Sequence, residues 1–245
     1  MFLVKLGGSV ITVKSRYRVF REKAVSEMLQ QLKATGEPFA LVHGGGSFGH
    51  IKAKEFGLPG NLSEKTIQGC SIVHRDMIDL DQRIIKSMNN IGLAGLGISP
   101  ALFSNKVDEL VEVFSMYSKN GFSPVTFGDV YIDEEKNRVE IISGDDLILE
   151  LTRKLKPTRV IFLTDVDGIF DRNPKKFPGA KLLKVLNESP RYDTHGTDVT
   201  GGMEKKAGII KEIARTGTTV YVLNGNKPSR IHDIQTERFI GTVIR

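Results

Sequence analysis

The chain has 245 residues, 40% hydrophobic and 26% charged: enough for one large α/β domain with a full core, and too apolar to be disordered. Net charge is +6, yet the basic residues come singly and in pairs and no nucleic-acid-binding motif is present, so no nucleic-acid partner is expected. No apolar run approaches the ~20 residues of a membrane span, and the single Cys70 excludes an internal disulfide.

FLVKL, residues 2–6, predicts a buried strand. Lys5 interrupts the apolar opening, which has neither a basic start nor a small-x-small cleavage site. It therefore reads as structure rather than a signal peptide, and a cytoplasmic location is expected. In KLGGS a lysine at the strand end precedes Gly7, Gly8 and Ser9, where backbone can wrap a phosphate, although an edge-strand lysine before a turn has the same pattern. Lys14 lies just beyond, and no Walker loop occurs anywhere.

A helical pattern over 20–35 stops at Gly36, and a strand is expected over 38–43. HGGGSFGH follows, with Gly44, Gly46 and Gly49 spelling G-x-G-x-x-G. A dinucleotide site would need an acidic residue at the end of a second strand about 20 positions on, but Glu64 stands at a helix start. What survives is a loop whose consecutive glycines can turn N–H groups toward an anion, beside His50, Lys52 and Lys54.

Ile67, Cys70, Val73, Met77, Leu80 and Ile84 fall on one face of a helix expected over 64–91. A buried strand is expected over 97–104, a short helix over 106–117, and strands over 122–142 that turn at 133–137. SGDDL opens a capped helix over 143–155, in which Asp145 is either a helix-end acid or an organiser of active-site lysines. Residues 159–170 read as a buried strand and loop, with Asp165 and Asp167 at the end where parallel sheets bind ligands. That D-x-D-G is no EF-hand, because Lys176 stands where the twelfth-position acid belongs. A helix over 201–217 carries Lys205 and Lys206 in its first turns, the wrong end for cations unless an anion is bound. Strands over 218–225 and 239–244 complete the chain. The alternation predicts an open three-layer αβα sandwich on a mainly parallel sheet, with lobes over 1–142 and 143–245.

The motifs K-x-G-G-S, G-G-G, S-G-D, T-D-V-D-G and T-G-G-M-x-x-K, in this order from Lys5 to about Asn224, resemble the amino acid kinase superfamily. The resemblance implies an acceptor in the N-terminal lobe, and ATP with magnesium in the C-terminal lobe, the metal carried by ATP rather than by protein ligands. HGGGSFGH, ending in His50, is similar to the isopentenyl phosphate kinase branch, with fosfomycin kinase the nearest relative; in both the histidine touches the phosphate or phosphonate of the acceptor. The implied activity is ATP-dependent phosphorylation of isopentenyl phosphate, an isoprenoid phosphate, to the diphosphate, by a cytoplasmic homodimer. The alternatives are a kinase of the superfamily with a phosphonate or carboxylate acceptor such as fosfomycin, and a non-catalytic nucleotide-binding protein.

By resemblance, Gly7, Gly8 and Ser9 cradle the ATP phosphates, Lys5 and Lys14 stabilise the transferring phosphoryl group, and Asp145 orients the lysines. Gly44, Gly45, Gly49 and Gly144 position the acceptor with His50 on its phosphate; Gly46, Thr164, Asp165, Gly168, Phe170, Gly202, Lys205 and Lys206 border the nucleotide. The residues agree chemically. A phosphate acceptor is already anionic and needs no general base, only cations that bring two anions together. The 64–91 helix follows the glycine loop directly, so Val73 and Met77 are expected to bound the hydrocarbon tail while Leu80 and Ile84 pack on the sheet.

Overall fold

The elements run β1 (Phe2–Leu6), α1 (Gly8–Ile11), α2 (Glu22–Ala34), β2 (Phe39–His43), α3 (Gly46–Phe56), β3 (Gly60–Asn61), α4 (Glu64–Asn90), β4 (Gly95–Gly97), α5 (Val107–Lys119), β5 (Ser123–Phe127), β6 (Asp129–Asp133), β7 (Arg138–Ile142), α6 (Gly144–Leu155), β8 (Arg159–Thr164), α7 (Gly201–Arg215), β9 (Thr219–Asn224) and β10 (Thr242–Ile244). The computed structural model describes residues 1–103, 106–185, 201–236 and 238–245, with backbone alone for 201–205 and 235. Among them no helix is long and apolar enough to cross a membrane.

The main sheet has the order β10-β9-β8-β1-β2-β5-β4, parallel except for the antiparallel edge strand β10. β1 is buried at every position and β2 likewise, the mainly apolar run of a strand covered on both faces. Alternate side chains of β1 enter opposite layers. Phe2, Val4 and Leu6 join the core with Met28, Leu29, Phe48 and Leu80 of α2, α3 and α4. Leu3 joins Phe114, Leu147 and Ile210 of α5, α6 and α7. This is the expected αβα sandwich. A small antiparallel sheet, β3-β7-β6, stands beside it.

Ser63 caps α4 reciprocally with Thr66, and the Ser143 hydroxyl accepts from the Asp146 N–H to start α6. The strand expected over 97–104 is corrected. Only Gly95–Gly97 is extended, and Pro100–Phe103 forms a 3-10 turn. Pro100 has no N–H for a ladder, and the Asp81 carboxylate fills the space where a Gly97 side chain would stand. The 122–142 stretch divides at Gly128, with β5 in the main sheet and β6–β7 a hairpin whose turn holds Asn137 at φ 52°.

Candidate active site

Strand parity decides where Lys5 points. It shares a face with Leu3, so its side chain enters the α6 layer and is 5% exposed. There its Nζ lies 2.6 Å from Asp145 Oδ1 in the first turn of α6. Burial, with the nearby positive charge of Lys206, lowers the Lys5 pKa to about 8, although Asp145 pulls it up. Of the two lysines at the start of α7, Lys206 is therefore one that reaches the field of Lys5. Gly202 lies in the first turn of α7, and the side chain of Lys205 lies outside the described residues.

The two N-terminal glycine motifs press on each other. A Cβ on Gly46, at φ 49°, would sit 2.1 Å from Thr12 Oγ1 and 2.7 Å from the Gly8 carbonyl oxygen. Only glycine allows that approach. Thr12 Oγ1 donates to the Gly8 carbonyl at 2.7 Å and accepts from the Ser47 N–H at 3.0 Å, joining α1 to the start of α3. Part of the glycine pattern is thus loop-on-loop packing, and Thr12, which no sequence motif marks, is its clasp. α3 begins at Gly46, so His50 sits on its second turn rather than in a loop. The first histidine of HGGGSFGH belongs to the core: His43 is fully buried and stacks on Phe127.

His50, Lys5, Gly44, Gly45, Gly49, Gly144 and Asp145 meet at a cavity of about 130 Å³. Its lining also carries apolar side chains from Val73 and Met77 of α4, Val130 of β6, and Ile141 and Ile142 of β7. Val73 and Met77 are buried and line the cavity as well. Partial desolvation, followed by the charges of Lys14 and Lys5, holds the His50 pKa below the ordinary imidazole value, against the pull of Asp145. Lys14 therefore stands near His50. Asp129 also lines the cavity, with its carboxylate accepting from the Val130 N–H at 2.8 Å and from Ser99 at 3.2 Å, and 2.8 Å from His74 Nδ1. No motif in the chain marks this contribution of the β6–β7 hairpin. Its residues lie far from the glycine loop in sequence, and no spacing rule connects them.

Across β1, parallel pairing with β8 sets Gly7 against Leu163, whose carbonyl accepts the Gly7 N–H at 2.9 Å. Thr164 and Asp165 follow at that strand end. Burial alone would raise the Asp165 carboxyl, but hydrogen bonds from Lys175 and the Ser9 hydroxyl outweigh it and hold the pKa low. Gly168 backs onto Thr242, and Phe170 bridges to Leu182. Asp167 is a latch, bonded by Asn224 at 2.8 Å and 2.7 Å from Arg230.

Glycine loops and converging cations at the carboxyl ends of β1, β2 and β8, with an amphipathic cavity beside them, define a small-molecule kinase. The chain belongs to the amino acid kinase family, whose model matches residues 1–224. It is 44% identical over 248 residues to isopentenyl phosphate kinase of Thermoplasma acidophilum, covering 100% of both chains. It is 31% identical to isopentenyl phosphate kinase of Methanothermobacter thermautotrophicus, covering 94% of this chain and 93% of that one. A crystal structure of the T. acidophilum isopentenyl phosphate kinase product complex superposes with a TM-score of 0.88 at 41% identity, covering 100% of both chains.

Proposed function

We propose that this protein transfers the γ-phosphoryl group of ATP to the phosphate of isopentenyl phosphate, forming isopentenyl diphosphate. The observation that carries the reading is the mixed lining of one cavity, where Lys5, His50 and glycine backbone meet the apolar side chains of Val73, Met77, Val130 and Ile141. A phosphate ester with a short hydrocarbon tail matches both kinds of lining. At ~0.8 kcal/mol per buried carbon, a five-carbon tail contributes about 4 kcal/mol to binding. The relatives described above bear the same activity in their names.

The carboxylates lining the cavity, Asp145 and Asp129, are both engaged, the first with Lys5 and the second with His74, Ser99 and a backbone N–H. Neither is placed as a base for a hydroxyl acceptor. A phosphate oxygen needs none, and what transfer then requires is positioning and charge neutralisation. Lys5 and Lys14 take the transferring group, His50 the acceptor phosphate, and the N–H groups of Gly44, Gly45, Gly49 and Gly144 orient it. Gly7, Gly8, Ser9 and Gly46 hold the ATP phosphates, with Thr164, Asp165, Gly168, Phe170, Gly202, Lys205 and Lys206 around the nucleotide. Residues 1–142 act as the acceptor lobe and 143–245 as the nucleotide lobe. Magnesium, if bound, would be held by the ATP phosphates rather than by protein ligands and would supply charge neutralisation there. Among the described residues no cluster of three His, Cys, Asp or Glu side chains is arranged to hold a metal. A cytoplasmic homodimer completes the reading, the compartment from the single Cys70 and the assembly from the family resemblance.

The test is ADP release from ATP with isopentenyl phosphate as acceptor, coupled to product identification. Saturable turnover that yields isopentenyl diphosphate supports the reading. No turnover, or a higher kcat/KM with fosfomycin or an amino acid carboxylate, overturns it.

A further inference from the structure

Lys14 has no helix or strand of its own. It sits in a hairpin between α1 and α2, closed by the Thr12–Phe20 bridge, the Val13 N–H to Val19 carbonyl bond at 2.9 Å and the Arg21 N–H to Ile11 carbonyl bond at 2.9 Å. A two-stranded ribbon of this size does not hold its place in water unaided. Its tip is instead clamped to the two helices that build the acceptor cavity. The Tyr17 hydroxyl donates to Asp76 Oδ2, and the Asp76 side chain is fully buried on α4. Arg18 donates to Asp79 at 2.7 Å and lies 3.5 Å from Asp76. Arg75 donates to Asp76 at 2.8 Å and Arg83 to Asp79 at 3.1 Å, so both carboxylates are fixed before the hairpin meets them. From α3, Lys52 stands 5.3 Å from the Tyr17 ring centre, and Arg18 packs over Phe48.

Arg18 is held at φ 56°, a left-handed conformation that a non-glycine residue keeps only where its surroundings over-determine it. Here the surroundings are Asp76, Asp79 and Phe48. The clamp also shares its helix with the cavity wall: Asp76 lies between Val73 and Met77 on α4. Seating of the acceptor tail and seating of the hairpin thus refer to one rigid element.

We propose that Tyr17 and Arg18, clamped on Asp76 and Asp79, are positioning residues that hold Lys14 near His50. They touch no reactant; they fix the ammonium that does. The inference rests on the kinase reading for its kinetic consequence. A misplacement of about 1 Å costs up to ~10²-fold in rate, so Tyr17→Phe and Asp79→Asn should each lower kcat roughly tenfold, with KM for ATP within about twofold of wild type.

Two readouts separate positioning from general weakening. In a Lys14→Ala background, Tyr17→Phe and Asp79→Asn should cost nothing further in kcat, because the group they place is gone. The His50 imidazole, followed by NMR without any turnover, should titrate at higher pH in Lys14→Ala, since a neighbouring positive charge has been removed. Tyr17→Phe and Asp79→Asn should move it the same way in the wild-type background and not at all in Lys14→Ala. Full additivity with Lys14→Ala, or a His50 titration unmoved by both single variants, overturns the proposal. If the wild-type enzyme makes no product from ATP and isopentenyl phosphate, the kinase reading fails separately, and the NMR titration alone decides where Lys14 is held.

Discussion

Lys5 Nζ and Asp145 Oδ1, 140 residues apart in the chain, lie 2.6 Å from each other and line the same cavity as Gly44, Gly45 and Gly49. The pair joins the central strand of the sheet to the first turn of α6. Its position makes Lys5 a buried cation whose proton is held less firmly than that of an exposed lysine. Lys5 therefore titrates within reach of ordinary assay conditions.

Activity should follow that titration. With the Lys5 pKa at about 8, kcat/KM for ATP in the free enzyme should fall as pH climbs past that value. Asp145→Asn removes the main interaction that supports the proton, so the alkaline limb should move to lower pH. An unmoved limb would mean that another group controls it. The stability sign is the opposite. Between about 8 and 10.5 the unfolded chain holds a proton that folded Lys5 has lost, so the Lys5 contribution to stability improves as pH rises through that window and is poorest below it.

His50→Ala should lose on the order of 3 kcal/mol of transition-state stabilisation, measured as kcat/KM for isopentenyl phosphate. His50→Gln should recover part, because an amide N–H still donates. Desolvation, then the charges of Lys14 and Lys5, weakens the free imidazole's hold on its proton, and an arriving phosphate favours the charged form. Acceptor affinity should accordingly weaken as pH rises. Wild-type kcat/KM in His50→Ala would falsify the assignment.

Lys14→Ala should lower kcat with little change in KM for ATP, as expected of a group that acts on the transferring phosphoryl group rather than on bound nucleotide. A change confined to KM would return Lys14 to ground-state binding.

Shortening the cavity wall should admit longer tails. Val73→Gly and Met77→Ala should each raise the ratio of kcat/KM for geranyl phosphate over that for isopentenyl phosphate. The two differ in side effects. A Cβ on Gly45 or Gly49 would meet the Met77 sulfur at 3.1 and 3.2 Å, so Met77 also braces the glycine loop. Met77→Ala should cost about 2–5 kcal/mol of stability as well. If neither folded variant shifts the ratio upward, the wall is set by Val130 and Ile141 instead.

Two glycines should respond oppositely to alanine. Gly46→Ala forces a side chain into Thr12 and the Gly8 carbonyl at a left-handed φ, and should lower Tm together with activity. Gly208, inside α7, has nothing within 4 Å of the place a Cβ would take, and Gly208→Ala should stabilise by about 0.5–1 kcal/mol. Thermal unfolding of both variants checks the pair.

Much of this molecule is local and legible in the chain. Mainly apolar runs such as FLVKL and FALVH announce strands covered on both faces, and period-3.6 spacing from Ile67 to Ile84 announces α4. Glycine and proline chemistry places most element ends, and Pro100 marks where an expected strand fails. The motif order points to the family because most of the motifs fall where a strand gives way to its loop or helix, while G-G-M opens α7. That residues 5, 44 and 165 come together follows only from the sheet order, which sets β1 between β2 and β8. Which face Lys5 enters, whether Val73 and Met77 line a cavity or merely fill a core, and that the β6–β7 hairpin supplies Asp129, Val130 and Ile141 are decided by tertiary packing. Periodicity reports that a side chain leaves water but not what it meets there. The partner is chosen by contacts across the whole chain, and those have no spacing to be read.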